Sequence, residues 1–241
     1  MDKINIEFPP LLMKFWPLKY LEALQSGCLY FNPISKYRED FDKHNGDENE
    51  GGTPINPQFP ISYAGITLPP FHSAMEFIDD HGVFLFCVSV ISKKILRYDN
   101  DGTFELKKEF IDKMSKFGDY CFLFSKDELI SKVIQTQSNY VPKFGYDSGR
   151  IIYRDINNFD DNDYKNAYFS TGRVSDRYFV KSKEKYELEN EWRLMIFGSE
   201  QALIPNSVDG YSLNIGAFNY GYILECSKLS TFKLKPSLPI L

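Results

Sequence analysis

The chain contains the run Tyr-Glu-Leu-Glu-Asn-Glu-Trp-Arg-Leu-Met-Ile-Phe at residues 186–197. Side chains of a β-strand alternate between two faces, so a strand over this run carries three glutamates and an arginine on one face. These residues are Glu187, Glu189, Glu191 and Arg193. Neighbouring carboxylates repel one another, so a fold retains them where a positive group, a metal or a ligand compensates their charge. The run therefore predicts a strand and a candidate site together.

The composition indicates a folded and β-rich protein. The chain has 241 residues, enough to bury a substantial core, and 43% of them are apolar, which excludes a disordered chain. The aromatic residues are 21 Phe and 16 Tyr against 2 Trp, a weighting that favours strands. No stretch has the composition of a linker. We therefore predict a single α+β domain over residues 1–241, with a mixed, β-rich sheet core and a few short flanking helices.

Membrane and metal partners are not expected from the sequence. No apolar run approaches the roughly 18 residues of a membrane span, and residues 1–5 lack the basic and apolar sections of a secretory signal. The four cysteines are widely spaced in apolar settings, without metal-ligand spacing, which is typical of free thiols in a reducing cytoplasm. They are Cys28, Cys87, Cys121 and Cys226. A cytoplasmic protein is therefore expected.

The net charge of −5 argues against a protein whose whole surface binds nucleic acid. A local basic patch is compatible with this charge. Lysines cluster in three separate parts of the sequence, at Lys93–Lys94, at Lys107–Lys108 and from Lys181 to Lys185. Such clusters are more often solvated faces than phosphate sites. The sequence does not exclude nucleic acid as a partner.

The first part of the chain predicts a strand, a short helix and a second strand. Residues 11–16 form an apolar strand, and Pro17 suits the first position of a helix. Gly27 suits the position that ends this helix, and residues 28–31 then form the second strand.

Later segments give similarly local signals. Residues 83–90 are almost wholly apolar, which is typical of a central strand that is covered on both faces. Apolar residues at helical spacing predict a helix over residues 105–117. Ser125 with Glu128 three residues later matches a capping box and predicts the start of a further helix.

From residue 32 to residue 70 the chain is polar and rich in Gly and Pro, which predicts a long polar loop segment. Its first residues include Asn32, Tyr37 and Arg38. These types suit a sugar or phosphate pocket, because Arg binds oxyanions through two donors and Tyr offers a stacking face. An ordinary polar turn explains the same pattern.

The acidic residues and one histidine that follow are Asp40, Asp42, His44, Asp47, Glu48 and Glu50. A lone His in such a segment is more often solvated than a ligand, so no metal site is predicted.

The glutamates of residues 186–197 have a chemical and a structural interpretation. Alternate residues of a strand lie about 6.5–7 Å apart. At that distance one carboxylate can bind a hydroxyl while the other stabilises developing positive charge on the same ligand. In the structural interpretation, the strand faces solvent and its glutamates pair with Lys181, Lys183 or Lys185 of a neighbouring segment.

Two local patterns together resemble one family of domains. Leu12-Met13-Lys14-Phe15-Trp16, followed by residues 18–29, looks like the first strand, helix and turn of ADP-ribosyltransferase-like domains. Glu189-Asn190-Glu191 resembles the E-x-E of their arginine-type members. In those members the second glutamate binds the nicotinamide ribose and supports an oxocarbenium-like transition state. The chain departs from these families at Lys14 and Phe15, where they usually have Arg or His, and it has no clear S-T-S motif.

A second resemblance spans residues 11 to 197 in scattered short motifs. Asn32-Pro33-Ile34-Ser35, residues 82–89 and residues 186–193 follow one another in the order of motifs in a bacterial group, the DUF2971-like proteins. The "MWxxYA" motif that this group carries after its central strand is missing here.

The first resemblance implies an ADP-ribosyltransferase-like fold and NAD-dependent ADP-ribosyl transfer or NAD glycohydrolysis, as in a toxin or defence effector of a bacterium or phage. The implied partners are NAD, as a substrate, and an unknown acceptor. The resemblance implies that Glu191 stabilises the ribosyl cation and that Glu189 orients or deprotonates the acceptor. Other residues are candidates because of their side-chain chemistry. Together with those that the resemblance implies, the candidate NAD-binding residues are Lys14, Tyr30, Asn32, Tyr37, Arg38, Ser89 and Arg193.

Two other functions also fit the residue types. A metal-dependent nuclease would use Asp47, Glu48 and Glu50 with the glutamates of the later run, since paired carboxylates hold Mg²⁺. A non-enzymatic binding module would instead recognise a protein partner through its aromatic surface.

Overall fold

A computed structural model describes residues 10–39, 50–51, 53–55, 61–63, 65–68, 73–75, 82–99, 101–139, 143–154, 174–198 and 210–235. Its α-helices within these ranges are α1 (Leu18–Gln25), α2 (Ile34–Glu39), α3 (Lys108–Met114), α4 (Lys126–Ser138) and α5 (Lys183–Tyr186). None of these helices has the length and apolar composition needed to cross a bilayer. The strands are β1 (Leu11–Trp16), β2 (Cys28–Pro33), β3 (Thr53–Ile55), β4 (Ile61–Tyr63), β5 (Ile66–Leu68), β6 (Ser73–Met75), β7 (Val83–Val90), β8 (Leu96–Tyr98), β9 (Phe104–Leu106), β10 (Tyr120–Ser125), β11 (Gly145–Arg150), β12 (Ile152–Arg154), β13 (Val180–Ser182), β14 (Glu191–Phe197), β15 (Tyr211–Asn214), β16 (Gly221–Glu225) and β17 (Lys233–Leu234).

One large antiparallel sheet organises the fold. Six of its strands follow the order β11-β14-β7-β1-β10-β16, and β2 with β15 completes the eight strands off this order. Each paired strand of this sheet runs antiparallel to its partner. The predicted class is therefore confirmed: a mixed α+β fold with a β-rich core and a few short helices.

Both faces of the sheet are covered by apolar side chains. Leu12 and Phe86 belong to a buried cluster that includes residues of α1 and α4. Met13, the next residue along β1, belongs to a second cluster that includes residues of α3. The central strand β7 is buried along nearly its whole length, as its apolar sequence predicts. All four cysteines are free, which also agrees with the sequence.

The central strand β7 meets two different strands along one of its edges. β14 pairs with residues 83–89 on the other edge. β2 pairs with residues 84–85, whereas β1 pairs with residues 89–90. β1 and β2 therefore part from each other beside residues 86–88. This parting positions the candidate site.

The capping and turn signals of the sequence are confirmed. Ser125 Oγ accepts a hydrogen bond of 3.3 Å from the Glu128 main-chain N–H at the start of α4. Pro17 is the residue directly before α1, one position earlier than the first helical position predicted for it. Gly27 follows the end of α1 with a φ of +100°, a conformation that glycine adopts readily. A Cβ at this position would overlap the backbone of Gly216, so both conformation and space require glycine.

The prediction of one strand over residues 186–197 is wrong in its first half. α5 runs into a 3₁₀ turn, Glu187–Glu189, and β14 begins only at Glu191. Asn190 separates them with a φ of +44°, a left-handed conformation that Asn tolerates better than most residues. Its side-chain amide donates to the carbonyl oxygen of Val90 and to Ser92 Oγ, which holds the break in place. The three glutamates therefore do not share one strand face.

Two further segment predictions need correction. The helix expected from residue 105 begins at Lys108, because residues 104–106 pair with β8 and β17 as strand β9 instead. The polar segment from residue 32 to residue 70 is not wholly a loop, since its described parts contain α2, β3, β4 and β5.

We predict that Gly27→Ala destabilises the fold more than Gly216→Ala. Both glycines have positive φ, which disfavours alanine by about 1–2 kcal/mol, but a Cβ on Gly216 meets open space. The overlap at Gly27 adds a strain of about 1–3 kcal/mol. Urea denaturation of both variants measures the difference, and equal losses would contradict the close packing of these two turns.

Candidate functional site

A cleft of about 640 Å³ opens where β1 and β2 part from each other beside β7. This volume falls within the range of about 300–1,000 Å³ that is typical of small-molecule sites. One group of lining residues is aromatic and comprises Phe15, Trp16, Tyr20, Tyr30, Tyr37 and Phe117. A second group is charged and comprises Lys14, Lys36, Lys181, Glu189 and Glu191.

Most residues that the sequence singles out line this cleft. They are Lys14, Tyr30, Asn32, Tyr37, Ser89, Glu189 and Glu191. Arg38 and Arg193 are not among the lining residues. Strand register explains part of the convergence, since Glu191 pairs with Ser89 on β7 and Ser89 pairs with Met13 on β1. Three adjacent strands thus bring together residues that are distant in sequence.

The carboxylate of Glu191 is held by two cations. Its Oε1 accepts a hydrogen bond of 2.6 Å from Arg193 Nε. Its Oε2 lies 2.8 Å from Lys181 Nζ, as an ion pair that lacks the alignment of a good hydrogen bond. Burial opposes the charged form, but Arg193 and Lys181 outweigh burial and lower the pKa of Glu191 to about 2. The carboxylate is therefore ionised at neutral pH.

Arg193 is fully buried and is surrounded by acceptors. Its Nη1 and Nη2 bind the two carboxylate oxygens of Glu50, with Nη2 at 2.8 Å, and Nη1 also donates to the carbonyl oxygen of Tyr178. Glu50 is itself buried, and its main-chain oxygen accepts a hydrogen bond of 2.7 Å from Arg38 Nε. Buried charges are tolerated where they are paired in this way. Arg38 and Arg193 thus hold Glu50 and Glu191 in place.

Lys181 connects the three buried carboxylates. Its Nζ lies 2.8 Å from Glu191, 3.5 Å from Glu189 and 3.9 Å from Glu50. Burial disfavours its charge, but the carboxylates of Glu191 and Glu189 raise the pKa of Lys181 well above its ordinary value. Lys181 is therefore a permanent cation at the site. The pairing of these glutamates with Lys181 agrees with the structural interpretation of the sequence, but the pairs are buried and do not face solvent.

Glu189 lies at the end of the 3₁₀ turn, and its ionisation is less favoured than that of Glu191. Its main-chain oxygen accepts a hydrogen bond of 2.7 Å from Ser89 Oγ. Its cations are more distant, with Lys113 at 3.4 Å and Lys181 at 3.5 Å. Burial raises the pKa of Glu189, Lys181 opposes this effect, and the carboxylate of Glu191 adds to the rise. Two neighbouring carboxylates therefore have pKa values displaced in opposite directions.

Lys14 presents a second cation to the cleft. Its Nζ donates a hydrogen bond of 2.8 Å to the carbonyl oxygen of Cys87. The same Nζ lies 5.1 Å from the ring centroid of Trp16 and 5.3 Å from that of Phe86, within the range of cation–π contacts. Burial lowers the pKa of Lys14, although Cys87 and Glu191 partly offset this effect. Within the described part of the chain, no carboxylate forms an ion pair with Lys14.

The aromatic side chains give the cleft an apolar side. Trp16 stacks on Tyr20 with ring centroids 4.6 Å apart, and Tyr30 lies 6.3 Å from Trp16 in a tilted arrangement. Tyr37 contributes a hydroxyl that interacts with the side chain of Asn32, and burial raises the pKa of Tyr37 well above its ordinary value. A planar ligand with a polar end matches this combination of rings and charges.

The sequence did not single out Trp16 and Lys181 as cleft residues, nor Glu50 as the partner of Arg193. Lys181 stood out as one member of a lysine cluster, and Glu50 as one acid in a polar segment. The apolar run Tyr178-Phe179-Val180 directly before Lys181 is the signal that could have indicated its burial.

The structure describes some of the acidic residues of the metal-dependent nuclease hypothesis, and those residues are paired with cationic side chains. Within the ranges that the structure describes, no group of three or more His, Cys, Asp or Glu residues could hold a metal ion. Glu50, Glu189 and Glu191 each form ion pairs with Lys or Arg. The other two acids of that hypothesis, Asp47 and Glu48, lie outside the described residues, as do Asp40, Asp42 and His44 of the same polar segment.

The chain matches no protein-family model, no curated protein and no solved structure. The two resemblances drawn from its motifs therefore stay predictions. The residues of the cleft are therefore the basis for the function proposed below.

We predict that Arg193→Met strongly destabilises the protein, by about 3–5 kcal/mol. The substitution leaves two buried carboxylates, those of Glu50 and Glu191, without their main cation. Arg97→Met is the matched control, because it breaks an exposed pair with Glu105 and should change stability little. Urea denaturation compares the two variants. Similar losses in both would contradict the proposed importance of the buried pair.

Proposed function

We propose that this protein catalyses NAD-dependent ADP-ribosyl transfer or NAD glycohydrolysis in the cleft. The observation that carries the proposal is the pair Glu189 and Glu191, buried in one cleft with pKa values displaced in opposite directions. Such displacement is a recurrent feature of catalytic carboxylate pairs, because one group must stay ionised while the other exchanges a proton. The free thiols fit a reducing compartment, and we place the activity in a cytoplasmic toxin or defence effector.

Glu191 is suited to stabilise positive charge. In the proposed reaction, the bond between C1′ of the ribose and the nicotinamide nitrogen breaks, and its electron pair leaves with neutral nicotinamide. Positive charge then develops on the ribosyl C1′. A carboxylate that is already fixed and ionised stabilises this charge without first losing a proton. Glu191 meets that requirement through its contacts with Arg193 and Lys181.

Glu189 is suited to accept a proton. The oxygen of water, or of an acceptor molecule, forms the new bond to C1′ and loses its proton as it does so. A general base works best when its pKa lies closer to the working pH than that of an ordinary carboxyl group. Burial moves the pKa of Glu189 in this direction. The aromatic residues Trp16, Tyr20 and Tyr30 offer an apolar surface to the nicotinamide or adenine ring.

The metal-dependent nuclease is less well supported by the contacts of its residues. That reaction would need the carboxylate of Glu50, yet both of its oxygens bind Arg193. A metal ion would have to displace a bidentate ion pair that is buried. Among the residues that the structure describes, no contact favours this alternative over the NAD reaction.

We predict that Glu191→Gln lowers the release of nicotinamide from NAD by about two to four orders of magnitude, since it removes the charge opposite the ribosyl cation. Glu187→Gln is the matched control. Glu187 is four residues earlier in the chain, forms an exposed pair with Lys94 and is not a cleft residue. Chromatographic assay of nicotinamide measures both rates, and circular dichroism establishes that each variant is folded. A folded Glu191→Gln protein with the wild-type rate would exclude this role.

We predict that the rate falls on acidification at a pH above 4.5, the ordinary pKa of a glutamate, because the pKa of Glu189 is raised. A base acts in its deprotonated form, so the rate increases as pH rises through this pKa and then reaches a plateau. Glu189→Gln should lower the plateau and remove this acid limb. The pH dependence of kcat/KM for both proteins tests the assignment. An unchanged acid limb in the variant would assign the titration to another group.

A further inference from the structure

The three lysine clusters of the sequence converge on one groove that is distinct from the cleft. The groove has a volume of about 650 Å³, and one lysine of each cluster lines it: Lys94, Lys107 and Lys183. Two contacts bring the segments together. The Lys107 main-chain N–H donates a hydrogen bond of 2.9 Å to the carbonyl oxygen of Ile95, and Lys94 Nζ lies 3.4 Å from a carboxylate oxygen of Glu187.

The lysines of this groove are only partly compensated by the carboxylates beside them. Lys107 and Lys183 form no ion pair with any residue in the described ranges. The pair between Lys94 and Glu187 has side chains that are 59% and 39% exposed, and exposed pairs of this kind contribute little. Two glutamates, Glu184 and Glu187, line the groove with the three lysines. Two further exposed lysines flank the lining residues in sequence, namely Lys93 and Lys108.

The groove also offers apolar surface between its charges. Leu188 supplies this surface, since it lines the groove and is 47% exposed, whereas Ile95 lies beneath it and is buried. A repeating anionic backbone is the ligand feature that matches lysines from three segments, and Leu188 adds one apolar contact. Lysine is a flexible point charge and suits backbone phosphates without sequence preference.

We propose that this groove binds single-stranded nucleic acid through its phosphate backbone. A concave surface with lysines from three segments can follow one strand, and the exposed Leu188 can contact a base. The negative net charge of the chain is compatible with this proposal, because the positive charge is local. The proposal is independent of the NAD reaction.

The groove and the cleft share one segment of the chain. Lys181 lines the cleft, and the two residues that follow it, Ser182 and Lys183, line the groove. At the other end, Leu188 lines the groove and Glu189 lines the cleft. A strand in the groove would therefore contact the same short segment that carries the candidate base of the cleft.

The experiment measures the affinity of the purified full chain for fluorescein-labelled oligothymidylate and oligouridylate by fluorescence polarisation, without NAD, over a range of salt concentrations. Each phosphate contact with single strands contributes a slope of roughly −0.7 to the dependence of log affinity on log salt. The double variant K107Q/K183Q should therefore bind roughly 25-fold more weakly at about 0.1 M salt, with a slope that is smaller by roughly 1.4. The DNA and RNA arms separate a phosphate contribution from a 2′-hydroxyl contribution.

A matched control removes the same charge elsewhere. K116Q/K143Q replaces two exposed lysines that do not line the groove, and it should keep the wild-type affinity and slope. The proposal is overturned if the wild-type chain fails to bind at low salt, or if both double variants lose affinity equally. It is also overturned if polyglutamate competes as well as the oligonucleotides, because the groove would then select an acidic protein partner. Repeating the titration with Glu191→Gln separates this result from that of the NAD assay.

Discussion

The buried guanidinium of Arg193 is the interaction on which the rest of the candidate site depends. It is fully buried, and it binds two carboxylates that come from distant parts of the chain, Glu50 and Glu191. Removing the guanidinium takes the main cation from both buried carboxylates, whereas removing either carboxylate leaves Arg193 paired with the other. The planar guanidinium also fixes the orientation of Glu191, since its Nε and its Nη atoms serve different partners.

The site keeps its two cleft carboxylates in unequal states, with opposite consequences for stability. The lowered pKa of Glu191 contributes stability that is present above pH 4.5 and is lost as pH falls towards about 2. The raised pKa of Glu189 has the reverse effect: it favours the folded state at low pH, and this contribution is lost as pH rises through the raised value. Keeping Glu189 buried at neutral pH therefore opposes folding, which is expected of a functional group and not of a structural one.

Local patterns predict the elements of this fold better than they predict the site. The strand at residues 83–90, the stop at Gly27 and the cap at Ser125 follow from neighbouring residues, and all three are confirmed. The alternation of residues 186–197 suggested a strand throughout, but the left-handed Asn190 interrupts it through contacts with Val90 and Ser92. Those contacts join segments about a hundred residues apart in sequence and leave no periodic signal.

The same limit applies to the residues of the cleft. Its glutamates stood out because like charges close together in sequence are unusual. Their partner Lys181, and Glu50 as the second partner of Arg193, looked like ordinary surface residues. The 3₁₀ turn before Asn190 has a further consequence, because it places Glu187 and Glu189 on different surfaces, one in the groove and one in the cleft. A ligand in the groove or in the cleft would order the segment from Lys181 to Glu189. The conformational freedom of that segment would then be smaller when a second ligand binds at the other site. Any such coupling must be reciprocal, so NAD in the cleft and an anionic strand in the groove would each change the affinity for the other by the same factor.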